Sequence, residues 1–213
     1  MLVDVKNVTK SFQGTKVLDD VNMQILSGDR VAMMGPNGAG KTTLIRAMLG
    51  FYHINSGKIL VNGFDPIKQR VKVLEGISFI PQLPPPIKLS LDEMISFISK
   101  SSGVPKEAIY EEASKMDLDV KANKHKQFLK LSGGMKQKLL IAIALSKKSS
   151  LLVFDEPTAN LDPRAREHFY KLLTNLDSSC STLFITHRLD EIEGLVNRKI
   201  YMDLGKIVED EKI

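Results

Sequence analysis

The sequence predicts an α/β fold, a mostly parallel sheet with flanking helices, and three observations carry that prediction. The apolar run Val31-Ala32-Met33-Met34 leads into Gly35-Pro36-Asn37-Gly38-Ala39-Gly40-Lys41-Thr42-Thr43, and the helical pattern Leu44-Ile45-Arg46-Ala47-Met48-Leu49 follows, closed by Gly50. Residues 151–154 and 182–185 are apolar almost throughout, as expected of strands covered on both faces. Those two runs end at Asp155-Glu156 and at Thr186-His187, and functional groups in such sheets gather at the carboxyl ends of the strands.

The loop from Gly35 to Thr43 fits the pattern G-x-x-x-x-G-K-[ST] in its required strand–loop–helix setting. Its glycines let backbone N–H groups turn inward around phosphate oxygens, and the first turn of the next helix adds unpaired N–H groups at its positive end. Lys41 is a point charge for the outer phosphates, and the Thr42 hydroxyl is placed to ligate Mg2+. A nucleoside triphosphate is the expected ligand.

At 213 residues, 43% of them hydrophobic, the chain has room for one large domain, or one domain with a small insertion, around a real core. The one cysteine, Cys180, excludes an internal disulfide and reads as an inert, half-buried thiol before the run 182–185. No stretch nears the roughly 18 apolar residues that span a bilayer, and the first residues lack a leader's apolar region. The expectation is a soluble, cytoplasmic chain. The net charge of +5, with lysines dense between residues 121 and 148, fits an anionic membrane surface or nucleic acid as well as a solvated helical face. No aromatic residues are interleaved for base stacking, so nucleic acid is not an expected partner.

Taken in order, residues 2–25 read as two strands and a turn, with Phe12 at the end of the first. Phe12 is either a core residue or a ring for a purine base. Ser56 to Val61 is a strand entering an Asn62-Gly63 turn, and residues 77–80 are another, ending at Pro81-Gln82. Ser90 with Glu93 forms a capping-box pattern ahead of Leu91, Met94, Ile95 and Ile98 at helical spacing, and a second helix is expected from Pro105 to Met116. This stretch reads as a helical insertion too short for a core of its own. Ser132-Gly133-Gly134 opens another helix, as a cap or as an anion site. Asp155 is positioned to hold Mg2+ indirectly, and Glu156 to take a proton from water. A helix follows from Pro163, then the 182–185 strand ending at His187, and a closing hairpin over residues 199–208.

Together these elements resemble the nucleotide-binding domain of the ATP-binding cassette (ABC) family, over essentially the whole chain and in family order. The resemblance implies a P-loop NTPase core with an N-terminal antiparallel β subdomain and a small inserted α-helical subdomain. Residues 1–80 and 150–213 would form the ATP-binding core with its β subdomain, and 83–148 the helical insertion. Phe12 matches the adenine-stacking aromatic, although Tyr is usual there; Gly35 to Thr43 match Walker A, and Leu151 to Asp155 Walker B. Gln82 matches the glutamine linking the metal site to the helical subdomain, and Leu131 to Met135 the family's LSGGQ sequence, with Met for the usual Gln. Glu156 matches the base, Asp162 the loop that crosses the dimer interface, and His187 the switch histidine.

The resemblance implies an ATPase that uses ATP and Mg2+, with Thr42, Gln82 and Asp155 around the metal and Lys41, Gln82, Glu156 and His187 in catalysis. It implies a head-to-tail dimer with a second copy or a homologous cassette, so that Ser132, Gly133 and Gly134 meet the nucleotide of the other subunit. It also implies a separate transmembrane permease on the cytoplasmic face of a membrane, docked near Pro84-Pro85-Pro86-Ile87 and the apolar residues around Leu91, unless those residues are only helix packing. The Gly-Gly-Met variant is similar to cassettes of ABC-2-type exporters, and residues 189–198 are somewhat similar to the cassette of the copper-maturation transporter for nitrous oxide reductase. A soluble cassette of iron–sulfur assembly type is the alternative.

Overall fold

The computed structural model describes residues 1–187 and 189–213. Their internal contacts divide the chain into two compact units: Met1–Ile77 with Ser150–Asp155 and Asp177–Ile213, and Ser78–Ser149 with Glu156–Leu176.

The first unit holds two sheets. β1 (Val3–Phe12) and β2 (Thr15–Ile25) form an antiparallel hairpin about Gln13-Gly14, and β4 (Ser56–Val61) pairs antiparallel with the other edge of β1. Val3, Val5 and Val8 on β1 and Leu18, Val21, Met23 and Ile25 on β2 are buried, so the alternation legible in residues 2–25 marks one covered face. The larger sheet carries, in the order β6-β7-β3-β8-β9, the strands β3 (Arg30–Met34), β6 (Leu151–Asp155), β7 (Ser181–Ile185), β8 (Arg198–Asp203) and β9 (Lys206–Lys212). All their pairings are parallel except the closing β8–β9 hairpin.

Every residue of β6 and β7 is buried, as their continuous apolar sequences require, and the Phe154 and Phe184 rings stack between them at 4.8 Å. The helix α1 (Lys41–Met48) buries Leu44, Ile45, Ala47 and Met48. Arg198 closes the far side: its guanidinium donates to both Asp210 oxygens at 2.6 Å, and to Asp29 Oδ2 at 3.0 Å. These carboxylates hold the guanidinium above its ordinary range, tying β8 to β9 and to the start of β3. The short helix α2 (Arg70–Gly76) has no counterpart in the sequence reading, because it buries Val73 alone and shows no periodic apolar face. β5 (Ile77–Ile80) leads from this unit into the next.

The second unit is helical: α3 (Leu91–Ser102), α4 (Lys106–Lys115), α5 (Gly133–Ser146) and α6 (Pro163–Thr174). The capping box at the start of α3 is formed, with Ser90 Oγ accepting from the Glu93 N–H at 3.3 Å and Glu93 Oε2 accepting from the Ser90 N–H at 2.8 Å. Those bonds hold the Glu93 carboxyl below its usual range. Pro105 stands at the N-cap of α4, one residue outside the helix.

Contrary to the expectation from its length, the insertion encloses its own hydrophobic cluster. Leu91, Met94 and Ile95 of α3, Ile109 and Ala113 of α4, Phe128, and Leu139 and Ala142 of α5 are buried together. α5 supplies the missing wall, since it is apolar over most of its length. Packing therefore accounts for the apolar residues around Leu91, while Leu83 (78% exposed) and Phe97 (65%) remain on the surface.

Candidate nucleotide-binding site

β3 ends at Met34 and the chain turns at once into the Gly35–Gly40 loop. A side chain at Gly35, where φ is +136°, would run into the Met202 carbonyl of β8. The loop is braced from behind by the β8–β9 turn: the Gly205 N–H donates to Ala39 O (3.2 Å), and Gly205 O accepts from the Asp19 N–H of β2 (2.9 Å). Lys16 and Lys206 both pair with the Asp19 carboxylate, at 2.8 and 3.2 Å, and keep its carboxyl below the usual range. The closing hairpin is thus a support of the loop as well as a sheet edge.

Lys41 folds back over the loop, its Nζ donating to Gly35 O at 2.6 Å and Pro36 O at 2.9 Å. Gly40 stands at the N-cap of α1 in a left-handed conformation with no side-chain cap. The first N–H groups of α1 therefore carry no competing side-chain acceptor and suit a phosphate. Thr42 is half-buried on that first turn.

The parallel order β6-β7-β3 puts three strand ends on one edge. β3 delivers the loop, β7 delivers Thr186 and His187, and β6 delivers Asp155, whose register partner on β7 is Ile185. The Thr186 N–H donates to Met33 O at 3.4 Å, and His187 is exposed on that edge. Asp155 is buried, and two strand spacings, roughly 10 Å, separate β6 from β3. Among the described residues no three of His, Cys, Asp and Glu cluster as a metal cage. A few hard oxygen donors beside a phosphate cradle fit Mg2+, which keeps several waters and shares its shell with phosphate.

Phe12, at the end of β1, is 38% exposed, so it is not a core residue. Its ring meets Tyr52 edge-on at 5.2 Å, and the Tyr52 hydroxyl accepts from Arg46 of α1 at 2.9 Å. Lys10 Nζ lies 4.7 Å from the Phe12 ring centre. Tyr52 and Arg46 escaped the sequence reading; an aromatic six residues beyond an arginine at a helix end was the signal that was there. Replacing Phe12 with Ala is expected to weaken ATP binding by about 1–3 kcal/mol, one base–aromatic stack. Titration of the two proteins with a fluorescent ATP analogue checks this, and equal affinities would remove Phe12 from the site.

The remaining candidates lie in the second unit. Ser132 is the N-cap of α5, its Oγ accepting from the Met135 N–H at 3.2 Å, with Gly133 and Gly134 in the first turn. Cap and anion site are compatible, because the hydroxyl still has its own proton to donate. Asp162 caps α6 through the Ala165 N–H (2.9 Å), which holds its carboxyl below the usual range, and Lys138 Nζ lies 4.0 Å away. Gln82 is exposed, and its carbonyl accepts from Asn160 Nδ2 at 3.5 Å. Glu156 is half-buried with a backbone φ of +49°, uncommon for any residue but glycine. Cys180, in the first unit, is half-buried, and burial pushes its thiol up, away from reactivity.

A family model described as ABC transporter matches residues 18–159. The chain belongs to the ABC transporter family. It is 32% identical over 220 residues to the galactose/methyl galactoside import ATP-binding protein MglA of Clostridium perfringens (strain SM101 / Type A), covering 99% of this chain and 43% of that protein. The cassette thus spans less than half the length of that relative. It is also 32% identical over 221 residues to the glutamine transport ATP-binding protein GlnQ of Escherichia coli (strain K12), covering 98% of this chain and 90% of that protein.

Among solved structures, a bacterial Atm1-family ABC exporter with ATP bound superposes with a TM-score of 0.88 at 26% identity, covering 99% of this chain and 38% of that one. A dimeric post-hydrolysis ATP-binding cassette bound to ADP and Pi superposes at 0.85 and 23% identity, over 99% of this chain and 98% of that one, a likeness of fold. The family resemblance and the P-loop α/β fold expected from the sequence are both met. Both curated relatives are named ATP-binding proteins, and ATP with Mg2+ is the ligand that membership of this family implies.

Proposed function

We infer that this cassette is the ATP-hydrolysing subunit of a membrane transporter whose spanning part is a separate polypeptide. The observation that carries the inference is the braced P-loop sharing one sheet edge with Asp155 and His187, inside a chain that matches the ABC transporter family over residues 18–159. Among the described residues no helix is long and apolar enough to cross a membrane. In this reading the subunit is peripheral, on the cytoplasmic face.

In this reading Gly35, Pro36, Asn37, Gly38, Ala39, Gly40, Lys41, Thr42 and Thr43 hold the phosphates, and Phe12 stacks on the adenine. Thr42, Gln82 and Asp155 would hold Mg2+, which would supply charge neutralisation at the phosphate oxygens. Glu156, helped by Gln82, orients a water and takes its proton as the water oxygen attacks the γ-phosphorus in line and the bond to the β–γ bridging oxygen breaks. Lys41, His187 and the Ser132 hydroxyl of a second copy stabilise the charge on the transferred group. The sandwich needs two cassettes head to tail, with Ser132, Gly133, Gly134 and Asp162 of each facing the nucleotide of the other. Loss of the γ-phosphate releases the halves, and that opening drives the permease.

Leu83, next to the Pro84-Pro85-Pro86 segment in the chain, and Phe97 of α3 are the exposed side chains offered to the permease. Curated relatives that name a cargo include import or transport proteins for galactose, glutamine and Fe(3+), which favours an import-type system. Neither the iron–sulfur assembly alternative nor the copper-maturation exporter gains support from them. The tagged cassette is expected to co-purify in mild detergent with a multi-span membrane protein, and the pair Leu83→Ser, Phe97→Ser to lose it. Recovery with soluble assembly proteins alone, from intact membranes, would reinstate the iron–sulfur reading.

A further inference from the structure

Between Asp119 and Asp155 the chain has no acidic residue, yet it carries eight lysines and His125. The part of this stretch before α5 is built onto the segment preceding α3 by backbone hydrogen bonds. The Leu91 and Asp92 N–H groups donate to Lys126 O and Lys124 O, both at 3.0 Å, and Phe128 and Leu129 donate to Leu89 O (2.9 Å) and Ile87 O (3.0 Å). Asn123 Nδ2 donates to Asp119 O at 2.7 Å and tightens the turn. The fully buried Phe128 anchors the whole to the cluster of the second unit. Lys88, Lys124, His125, Lys126 and Lys130 are all exposed on this fixed frame.

Among the described residues none of those four lysines is in an ion pair, whereas Lys16, Lys115 and Lys206 all are. The two carboxylates at the start of α3 are otherwise engaged: Glu93 in the capping box, and Asp92 with Lys106 at 4.0 Å. Leu89 and Leu129, each 40% exposed, stand in the same pinned segments.

We propose that the paired segments around Leu89 and Leu129, with Lys88, Lys124, Lys126 and Lys130, form a contact surface for an anionic lipid bilayer. Unpaired ammonium groups on an ordered backbone lose little freedom on meeting a negative surface, and each adds attraction to acidic headgroups. The leucines are aliphatic wedges for the headgroup–acyl boundary. Nucleic acid fits less well. The patch exposes no aromatic ring, and residues 71–163 contain no arginine, the side chain whose planar fork suits bases and phosphodiesters.

The full chain is mixed with protein-free vesicles of phosphatidylcholine, with and without phosphatidylglycerol, and sedimented at low and at physiological salt. Binding is expected only with phosphatidylglycerol and to weaken as salt rises. The triple change Lys124→Gln, Lys126→Gln, Lys130→Gln should lower the partition by roughly a hundredfold, taking about 1 kcal/mol per lysine. Leu129→Gln should lower it several-fold. ATP binding by the triple variant should match the wild type, which shows that it folds. Equal binding to both vesicle types, none to either, or full retention by the triple variant would overturn the proposal. So would tighter binding to an oligonucleotide that the same changes abolish. The vesicles hold no permease, so the outcome is independent of whether the transporter reading stands.

Discussion

With Glu156 changed to Gln, ATP hydrolysis is expected to fall by a factor of about 10²–10⁴, the usual loss for a missing general base, while ATP binding persists. The amide keeps the length of the side chain and suits the same left-handed backbone at φ +49°, so the strand end and the following turn should be undisturbed. What it cannot do is accept a proton from water. With ATP and Mg2+ the variant should therefore collect as a dimer, whereas the wild type returns to monomer after turnover.

Ser132 offers a companion change. Ser132 caps α5, so replacing it with a poor cap would cost helix stability of about 0.5–2 kcal/mol and confuse the result. Asp caps as well as Ser but sets a carboxylate where a phosphate is expected. Ser132→Asp on the Glu156→Gln background should thus leave the thermal midpoint nearly unchanged and abolish the ATP-dependent dimer. Thermal unfolding reads the first, and size-exclusion chromatography with light scattering the second. Hydrolysis at the wild-type rate would dismiss Glu156 as the base, and a persistent dimer with Ser132→Asp would place Ser132 away from the nucleotide.

Local features were the ones legible in the sequence. The P-loop is written in glycines and one lysine because its conformation is dictated residue by residue, and the capping box at Ser90 and Glu93 is likewise a contact three residues long. Buried strands such as Leu151–Asp155 announce themselves because a doubly covered strand has no polar face to show. Features made by distant residues were hidden. The brace on the loop joins Ala39 to Gly205 and Asp19, and its donors and acceptors are backbone atoms that any sequence possesses. Phe12 gave no sign of whether it faced solvent, since the Tyr52 ring that orients it lies 40 positions away. The core of the helical insertion is hidden because α5, whose Leu139 and Ala142 complete the cluster, lies beyond the stretch that reads as the insertion and opens with a Ser-Gly-Gly cap.

Changing Lys41 to Ala is expected to remove most ATP affinity while leaving the fold in place. In the structure the ammonium is satisfied by the Gly35 and Pro36 carbonyls, one half-buried and one exposed to water. Those carbonyls find water when the side chain is shortened, so stability should drop by about 1 kcal/mol or less, the net worth of an ordinary hydrogen bond. Ala is also a favourable first residue for α1. The phosphates have no such substitute. A charge-assisted hydrogen bond contributes about 1.5–3 kcal/mol, and a lysine between two phosphate oxygens makes two of them, so affinity should fall a hundredfold or more. Lys41→Arg should not restore it, because the planar fork spreads its charge and cannot place it at one point. Calorimetric titration with ATP and Mg2+, beside thermal unfolding of the same samples, separates the two effects. Affinity within about threefold of wild type for Lys41→Ala, on a folded protein, would mean that the loop grips phosphate through its backbone alone.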